Sequence, residues 1–369
     1  MSEQKDTTTF KEAPLLYIKG FIMGSADIVP GVSGGTMALI LDIYERLLNA
    51  IKSVNTSFLK SLFTFKIKDA LEQIHLKFIA ILMAGIVSAV LFFTKVVPLQ
   101  VYMFTHPEIV YGLFFGLIVG SIYILVKALE TRSWREMVFV LVGTGIGFWI
   151  VNLVPTDTPE HPLFVFFSGV ISISAMILPG ISGSYILLIL RKYDFILSEI
   201  GKLGGVDTIS AFITLVPFGL GLVVGLALFS RFLSWLLGKY HAQTIAILIG
   251  FLVGSLYVIW PFQDREYVVS IRDTEVLTMA DERVKAIIAD PNENLPEYER
   301  LGEILNPDAA FDEFKRVEVV TVKKKLIGSN PFIPGINSRD KEVPVVPGIL
   351  GMLVGLALVG GLDMLRKKK

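Results

Sequence analysis

Cysteine is absent from this 369-residue chain, histidine occurs four times, and only 18% of the side chains are charged. Each scarcity removes a class of protein. Without cysteine there are no disulfides, no thiolate metal sites and no cysteine nucleophile. His75, His106, His161 and His241 stand at no metal-ligand spacing and carry no evident role, so neither a metal nor a cofactor is expected. The formal net charge is zero, which gives no general attraction to nucleic acid, and none is expected as a partner. Nothing resembles a cleavable signal peptide, so the N-terminus is expected to be retained.

What the chain has in abundance is apolar length. It is 53% hydrophobic with a mean hydropathy of +0.64, a composition that belongs to membrane proteins. A helical crossing needs about 20 mostly apolar residues, and six runs qualify: 78–97, 109–126, 137–154, 209–229, 242–260 and 345–362. Two further apolar stretches, 15–48 and 162–197, are interrupted. The first contains Asp27-Ile28-Val29-Pro30-Gly31-Val32-Ser33-Gly34-Gly35 and the second Pro179-Gly180-Ile181-Ser182-Gly183-Ser184. Proline removes a backbone donor and glycine favours unwinding, so each stretch is expected to break into half-helices, the second ones starting near Gly35 and Ser184.

The interruptions are copies. Pro30-Gly31-Val32-Ser33-Gly34 aligns with Pro179-Gly180-Ile181-Ser182-Gly183 at an offset of 149, which also pairs Ala26 with Ala175, Leu39 with Leu188, Tyr44 with Tyr193 and Glu45 with Asp194. Gly116, Gly120, Ser121 and Tyr123 match Gly250, Gly254, Ser255 and Tyr257 at an offset of 134, and Gly143 and Gly147 match Gly351 and Gly355 at 208. The growth from 134 to 208, a difference of 74, measures an insertion in the second copy. The expected organisation is a first membrane repeat (1–155), a second (156–262 and 344–369), and a soluble α/β insertion (263–343). Within the insertion, 267–271 and 317–322 read as strands, 281–289 and 295–305 as helices, and 330–335 as loop.

Basic residues in short loops mark the cytoplasmic side. Lys52, Lys60, Lys66, Lys68 and Lys77 follow the first hairpin; Lys127, Arg132 and Arg135 lie between two spans; Arg366-Lys367-Lys368-Lys369 closes the chain. All three places agree if the first hairpin enters and leaves on the cytoplasmic side, with both termini cytoplasmic. Each repeat then has three crossings, so the second is inverted and the insertion is extracytoplasmic. Arg191, Lys192 and Lys202 fall outside, against the rule. The fold class expected is therefore an all-α polytopic protein of the inner membrane, an inverted repeat of two halves. Each half is a re-entrant broken-helix hairpin plus three transmembrane helices.

Inverted repeats with broken helices place transporter sites near the bilayer midplane. A helix start offers unpaired N–H groups, and Ser33, Thr36, Ser182 and Ser184 add hydroxyls beside Gly34, Gly35 and Gly183. That combination suits a phosphate; the bland alternative is a tight turn with a serine cap, which the gapless duplication disfavours. Asp27, whose counterpart is Met176, either satisfies freed backbone donors or is a protonatable group beside the anion site. Asp42, Glu45 and Arg46 are expected on one helical face, with Asp42 and Arg46 as an ion pair. Arg191 and Asp194 stand at the matching end of the second hairpin, where a guanidinium suits a phosphate headgroup. The glycines recurring at a spacing of four read as close helix packing, and Lys95 and Trp260 as interfacial anchors.

The run from Gly20 to Arg46, with Gly24-Ser25-Ala26-Asp27-Ile28-Val29-Pro30-Gly31-Val32-Ser33-Gly34-Gly35-Thr36 at its centre, resembles the signature of the family long catalogued as domain of unknown function 368, the PopT-like polyprenyl-phosphate translocases. The second motif, 179–193, fits as well, and the resemblance covers nearly the whole chain apart from the insertion. It implies flipping of undecaprenyl phosphate from the outer to the inner leaflet for carrier-lipid recycling, by a transporter and not an enzyme. The phosphate would be captured near Arg191, pass the Gly/Ser breaks and leave near Arg46, with the prenyl tail in the bilayer and Asp27, Glu45 and Asp194 serving proton movement or gating. The partners implied are the lipid and the membrane, and the insertion offers a surface to an extracytoplasmic partner. Two rivals stay open. One is an ion-coupled transporter of a small soluble anion. The other is an intramembrane lipid-pyrophosphate phosphatase, whose related motif carries an arginine where this chain has Gly34 and Gly183.

Overall fold

The computed structural model describes residues 8–367 except 30–31, 55–57, 59, 62–63, 67–73, 130–132, 154, 206–207, 309–310, 312–313 and 337–343. Pro30 and Gly31 of the first motif therefore lie outside the described residues. Fourteen described helices and three strands follow in order: α1 (Ala13–Asp27), α2 (Gly34–Ile40), α3 (Tyr44–Lys52), α4 (Leu76–Lys95), α5 (Leu99–Thr105), α6 (Pro107–Ala128), α7 (Trp134–Val151), α8 (Pro162–Ile177), α9 (Gly183–Ile189), α10 (Tyr193–Gly201), α11 (Thr208–Lys239), α12 (His241–Ile259), β1 (Gln263–Thr278), α13 (Glu282–Ala289), β2 (Glu297–Ile304), β3 (Arg316–Pro331) and α14 (Val345–Lys367). The chain divides into two compact units, one of residues 1–97, 114–259 and 353–369, the other of 98–113 and 260–352.

Helices α4, α6, α7, α11 and α12 are long and apolar enough to cross a membrane, and α8 and the apolar part of α14, Val345–Gly361, are shorter apolar helices. Large apolar side chains such as Leu141, Trp149, Ile213, Val223 and Leu228 are exposed. In water such surface is a liability; against lipid it costs nothing. The chain is a polytopic membrane protein on these grounds. Helix α11 runs about ten residues past the expected end of its span, because Ser230–Lys239 continues the helix after the apolar run stops.

Helices α1 and α4, α8 and α11, and α7 and α12 pack as pairs. Small residues make the contacts. A Cβ on Gly20 would strike the Leu82 carbonyl of α4, one on Gly221 the Phe166 carbonyl of α8, and one on Gly143 the Ile247 carbonyl of α12. Lipid gives helices no hydrophobic reason to associate, so close backbone approach and dispersion hold them. Farther along, Gly120 of α6 faces Val359 and Leu356 of α14. The start of α7 is fixed by a capping box in which Ser133 and Glu136 satisfy each other's backbone donors.

The second unit is built on an antiparallel sheet of order β1-β3-β2. The β1–β3 ladder runs from Gln263 opposite Pro331 to Thr278 opposite Arg316, with register shifts at Glu266/Tyr267 and Ile271/Asp273. Asp281 caps α13 by accepting from the Arg283 amide. Val284 and Ile287 of α13 then pack on Val317 and Val319, with Leu277, Met279 and Leu301 around them. The other sheet face carries Tyr298, Val320, Val322 and Leu295. One expectation fails here. The segment 295–305, read as a helix, contains strand β2, paired with β3 from Glu297 opposite Lys323 to Ile304 opposite Val317. Its glutamates and leucines favour a helix in isolation, but Tyr298 and Leu301 reach apolar clusters on opposite faces only in extended backbone, and the ladder decides. The loop expected from Asn330 starts later, because β3 continues to Pro331.

Candidate functional site

Both interruptions form. Helix α1 ends at Asp27 and α2 begins at Gly34; α8 ends at Ile177 and α9 begins at Gly183. Each break is followed by a helix of seven residues and then a sharp turn. At the turns Asp42 (φ 56) and Arg191 (φ 48) both adopt left-handed backbone, and they are equivalent positions of the 149-residue repeat. The expected shared face of Asp42, Glu45 and Arg46 is thereby corrected. Asp42 sits in the turn, and only Glu45 and Arg46 lie in the first turn of α3.

The breaks touch. Thr36 Oγ1 accepts from the Gly180 amide at 2.8 Å, the Tyr44 hydroxyl donates to the Ile177 carbonyl at 2.9 Å, and Ser33 Oγ approaches the Met176 carbonyl at 3.4 Å. Gly180 has φ +83, and a Cβ there would lie 2.7 Å from the Phe251 carbonyl oxygen, so this turn needs glycine.

The two helix starts are chemically unequal. At α2, Asp27 Oδ1 accepts from the Gly34 amide at 2.6 Å and Ser33 Oγ from the Gly35 amide at 3.1 Å. An internal carboxylate thus occupies the place an anion would take, and Ser33 and Thr36 are buried. At α9 the residue matching Asp27 is Met176, which cannot accept, and Ser182 makes no cap. Ser182 Oγ and Ser184 Oγ lie 2.8 Å apart, with Ser182 half-buried and Ser184 exposed. At the helix starts Gly183 has backbone against it, while Gly34 has the movable Asp27 carboxylate. A Cβ on Gly34 would lie 2.5 Å from Asp27 Oδ2, and one on Gly183 2.6 Å from the Ser172 carbonyl oxygen.

The arginines stand apart from the breaks, each beyond a seven-residue helix about 10 Å long, Arg191 in the turn after α9 and Arg46 past the turn in α3. Arg191 pairs with Asp157 at 3.0 Å, both exposed, and Asp194 is exposed in the first turn of α10. Arg46 reaches Thr8 at 2.7 Å and Glu12 at 3.4 Å and lies over the Phe78 ring. Glu45 pairs with His241 at 3.1 Å.

Two lysines join the site's surroundings, Lys19, which no sequence motif marks, and Lys192, which the sequence marks by its place against the charge rule. Lys19, inside the first apolar stretch, donates to the Leu41 carbonyl at 2.6 Å and so satisfies the end of α2. Lys192 is 2% exposed; it donates to the Thr158 carbonyl at 2.8 Å beneath the Phe164 and Phe195 rings. A lysine in an apolar run was the signal available, since such a charge persists only with a partner. No group of His, Asp and Glu able to hold a metal occurs among the described residues.

Apolar spans and two interrupted helical segments bonded to each other define a polytopic membrane protein. The chain belongs to the VCA0040-like, undecaprenyl phosphate translocase-like family, whose model matches residues 23–276. It is 37% identical over 248 residues to a polyprenyl-phosphate transporter of Vibrio cholerae, covering 67% of this chain and 78% of that one. It is 30% identical over 260 residues to a polyprenyl-phosphate transporter of Staphylococcus aureus, covering 66% and 85%. No solved structure matches.

Proposed function

We propose that the protein carries undecaprenyl phosphate from the outer to the inner leaflet of the cytoplasmic membrane, returning the carrier lipid for reuse. The observation that carries this reading is the direct hydrogen bonding of the two breaks, Gly180 to Thr36, in a chain of this family. Two interrupted hairpins meeting inside the apolar unit supply polar backbone where an anion must cross. A bare charge at the bilayer centre costs on the order of 3 kcal/mol or more.

A two-fold relation between the repeats is supported by reciprocal contacts, and an odd number of crossings in each repeat would make it an inverted one. By the sequence offsets α7 corresponds to α14 and α6 to α12. A two-fold relation requires that if α7 packs on α12, then α14 packs on α6, and Gly143 with Ile247 and Gly120 with Val359 satisfy both. In this arrangement the hairpins are re-entrant, the termini are cytoplasmic, and the insertion is extracytoplasmic and available to a partner. The headgroup is captured near Arg191 and passes the accessible Ser182, Gly183 and Ser184. It leaves on the side of Arg46 and Glu45, with the prenyl chain in lipid throughout. Asp27, Ser33, Gly34, Gly35 and Thr36 shape the crossing from the opposite hairpin, and Asp194 closes the outer end.

The phosphatase reading loses support at Gly34 and Gly183, which stand where such an enzyme places an arginine. The small-anion transporter is separated by assay. Fluorescent polyprenyl phosphate in proteoliposomes should change leaflet with the wild type and, at lipid concentrations below saturation, more slowly with Arg191→Ala and Ser184→Ala at unchanged thermal stability. A correctly folded wild type that moves inorganic phosphate but not the lipid, across pH values and ion gradients, would sink the lipid reading.

A further inference from the structure

The end of the first hairpin opens onto a cavity of about 740 Å³ in the membrane unit, framed by the α2–α3 turn, the residue before α4, the last turn of α6 and the first turns of α12. Its chemistry is divided. Ile124, Leu125 and Ile245 give one apolar wall. Arg46, Asn49, Ser121, His75 and His241 bring donors, while Asp42 and Glu45 bring carboxylates and Tyr44 a phenol already bonded to the Ile177 carbonyl. A donor-rich end beside a branched apolar wall suits an anionic headgroup joined to a hydrocarbon chain.

The charge balance sets when such a ligand is held. One guanidinium faces two carboxylates, so with neutral imidazoles the polar end repels an anion. With His75 and His241 protonated the sign reverses, and two more charged donors appear. The other charged groups on the surrounding elements do not line the cavity. Glu12 is paired with Arg46, Lys19 donates to the Leu41 carbonyl, Lys77 lies over Phe10, Arg231 donates to the Ala227 carbonyl, Lys239 lies over Trp235 and Tyr240, and Lys127 belongs to the last turn of α6. Imidazole is the side chain type whose ordinary charge change falls within the range a cell spans.

We infer that this cavity is a second seat for a phosphomonoester on an isoprenoid chain, held when His75 and His241 are protonated and released when they are neutral. The inference rests on the translocase reading and gives it a release step. The basic loops after α3 and α6 lie in sequence beside the elements that frame the cavity. That places it at the expected cytoplasmic end.

The test titrates the purified full chain in nanodiscs with farnesyl monophosphate, and separately with inorganic phosphate, at about pH 6 and about pH 8. Farnesyl phosphate should bind about tenfold more tightly at the lower pH, the worth of a gained charge-assisted hydrogen bond. His241→Gln and His75→Gln should each flatten that dependence, and Ala242→Trp, which fills the cavity without touching its charges, should remove this binding at both pH values. His241 is exposed, so its variant folds even where the buried His75 variant does not. Inorganic phosphate bound as tightly as the farnesyl ester would overturn the isoprenoid part and keep the anion seat. An unchanged pH dependence in the His241→Gln protein, or unchanged binding in Ala242→Trp, would overturn the seat itself. Lipid flipping by the wild type is measured alongside. Flipping with Ala242→Trp binding like wild type sinks the cavity alone, and histidine-dependent binding without flipping sinks the translocase reading alone.

Discussion

Gly180 donates its amide to the Thr36 hydroxyl at 2.8 Å across 144 residues of sequence, and this bond ties one broken hairpin to the other. Both groups are buried. Removing the acceptor leaves an orphaned donor in a region without water, which costs more than the bond contributes. Thr36→Val keeps shape and loses the acceptor, so it should lower stability by about 1–3 kcal/mol, seen as a fall in the thermal midpoint in detergent. Thr36→Ser keeps the oxygen and should recover most of it. Equal midpoints for the valine and serine variants would mean that the bond does not hold the breaks together.

Glycines in this chain differ in what they tolerate. Gly180 combines φ +83 with the Phe251 carbonyl 2.7 Å from a would-be Cβ, whereas Gly145, inside α7, has nothing within 4 Å. Gly180→Ala should cost at least about 1–2 kcal/mol from the backbone conformation alone, plus the clash. Gly145→Ala should be neutral or stabilise by up to about 1 kcal/mol. Thermal unfolding of the two variants side by side checks the contrast.

Much of this was legible in the sequence, because broken apolar runs, duplicated Pro-Gly-x-Ser-Gly motifs and small-residue spacing are local signals. Five of the six expected spans fall on helices long and apolar enough to cross a membrane and the sixth on a shorter apolar helix, and 267–271 and 317–322 fall inside β1 and β3. What could not be read is what depends on distant partners. β2 has a helix-like composition and becomes a strand only through its ladder with β3. Asp42 was placed on a helical face because nothing nearby announces the left-handed turn, although its repeat partner Arg191 takes the same conformation. The motif looks symmetric, yet Asp27 fills one helix start and Met176 leaves the other unfilled. That difference is one residue in sequence, and its consequence appears only when the Gly34 amide is seen to point at the carboxylate. His75 and His241, apparently idle, meet at one cavity from segments far apart in the chain.

The inserted unit should depend on its small core and not on its surface charges. Arg283 bridges Glu275 and Glu299 at 2.8 and 2.6 Å, and these carboxylates hold its guanidinium above the usual arginine range. Its charge therefore persists at every physiological pH, and this ion-pair contribution would be lost only as pH rose past that raised value. The site is exposed, so Arg283→Ala should leave the unit folded with little change in stability. Val317→Ala, deleting buried volume under α13, should cost about 1–3 kcal/mol. Amide hydrogen exchange of β3 in the full-length chain distinguishes the two: faster exchange is expected in the valine variant and native rates in the arginine variant.

Arg191 and Asp157 form an exposed ion pair that can open without exposing any core. Arg191→Ala should therefore change the thermal midpoint little, since such pairs contribute at most about 1 kcal/mol. If the guanidinium captures headgroups, its loss should appear as weaker apparent lipid affinity, with the maximal flux falling less than the affinity. Arg191→Lys should restore charge but not the two-pronged geometry, and so recover only part. Flux measured against lipid concentration separates these, and a variant with wild-type affinity would remove Arg191 from the capture step.

The unequal helix starts make the sharpest prediction about where a phosphate sits. Ser33 is buried and caps Gly35, so Ser33→Ala should lower stability by about 1 kcal/mol and affect flux only through folding. Ser182 and Ser184 cap nothing and remain accessible, so the doubly alanine-substituted protein should keep its thermal midpoint. Two hydroxyls that hydrogen-bond a passing phosphate are together worth about tenfold or more in rate, and flux should fall accordingly. The reverse pattern, flux lost at Ser33 with stability intact and unaffected at Ser182 and Ser184, would move the headgroup path to the first hairpin. It would require Asp27 to vacate the Gly34 amide during transport, because the carboxylate and the phosphate cannot occupy one donor together.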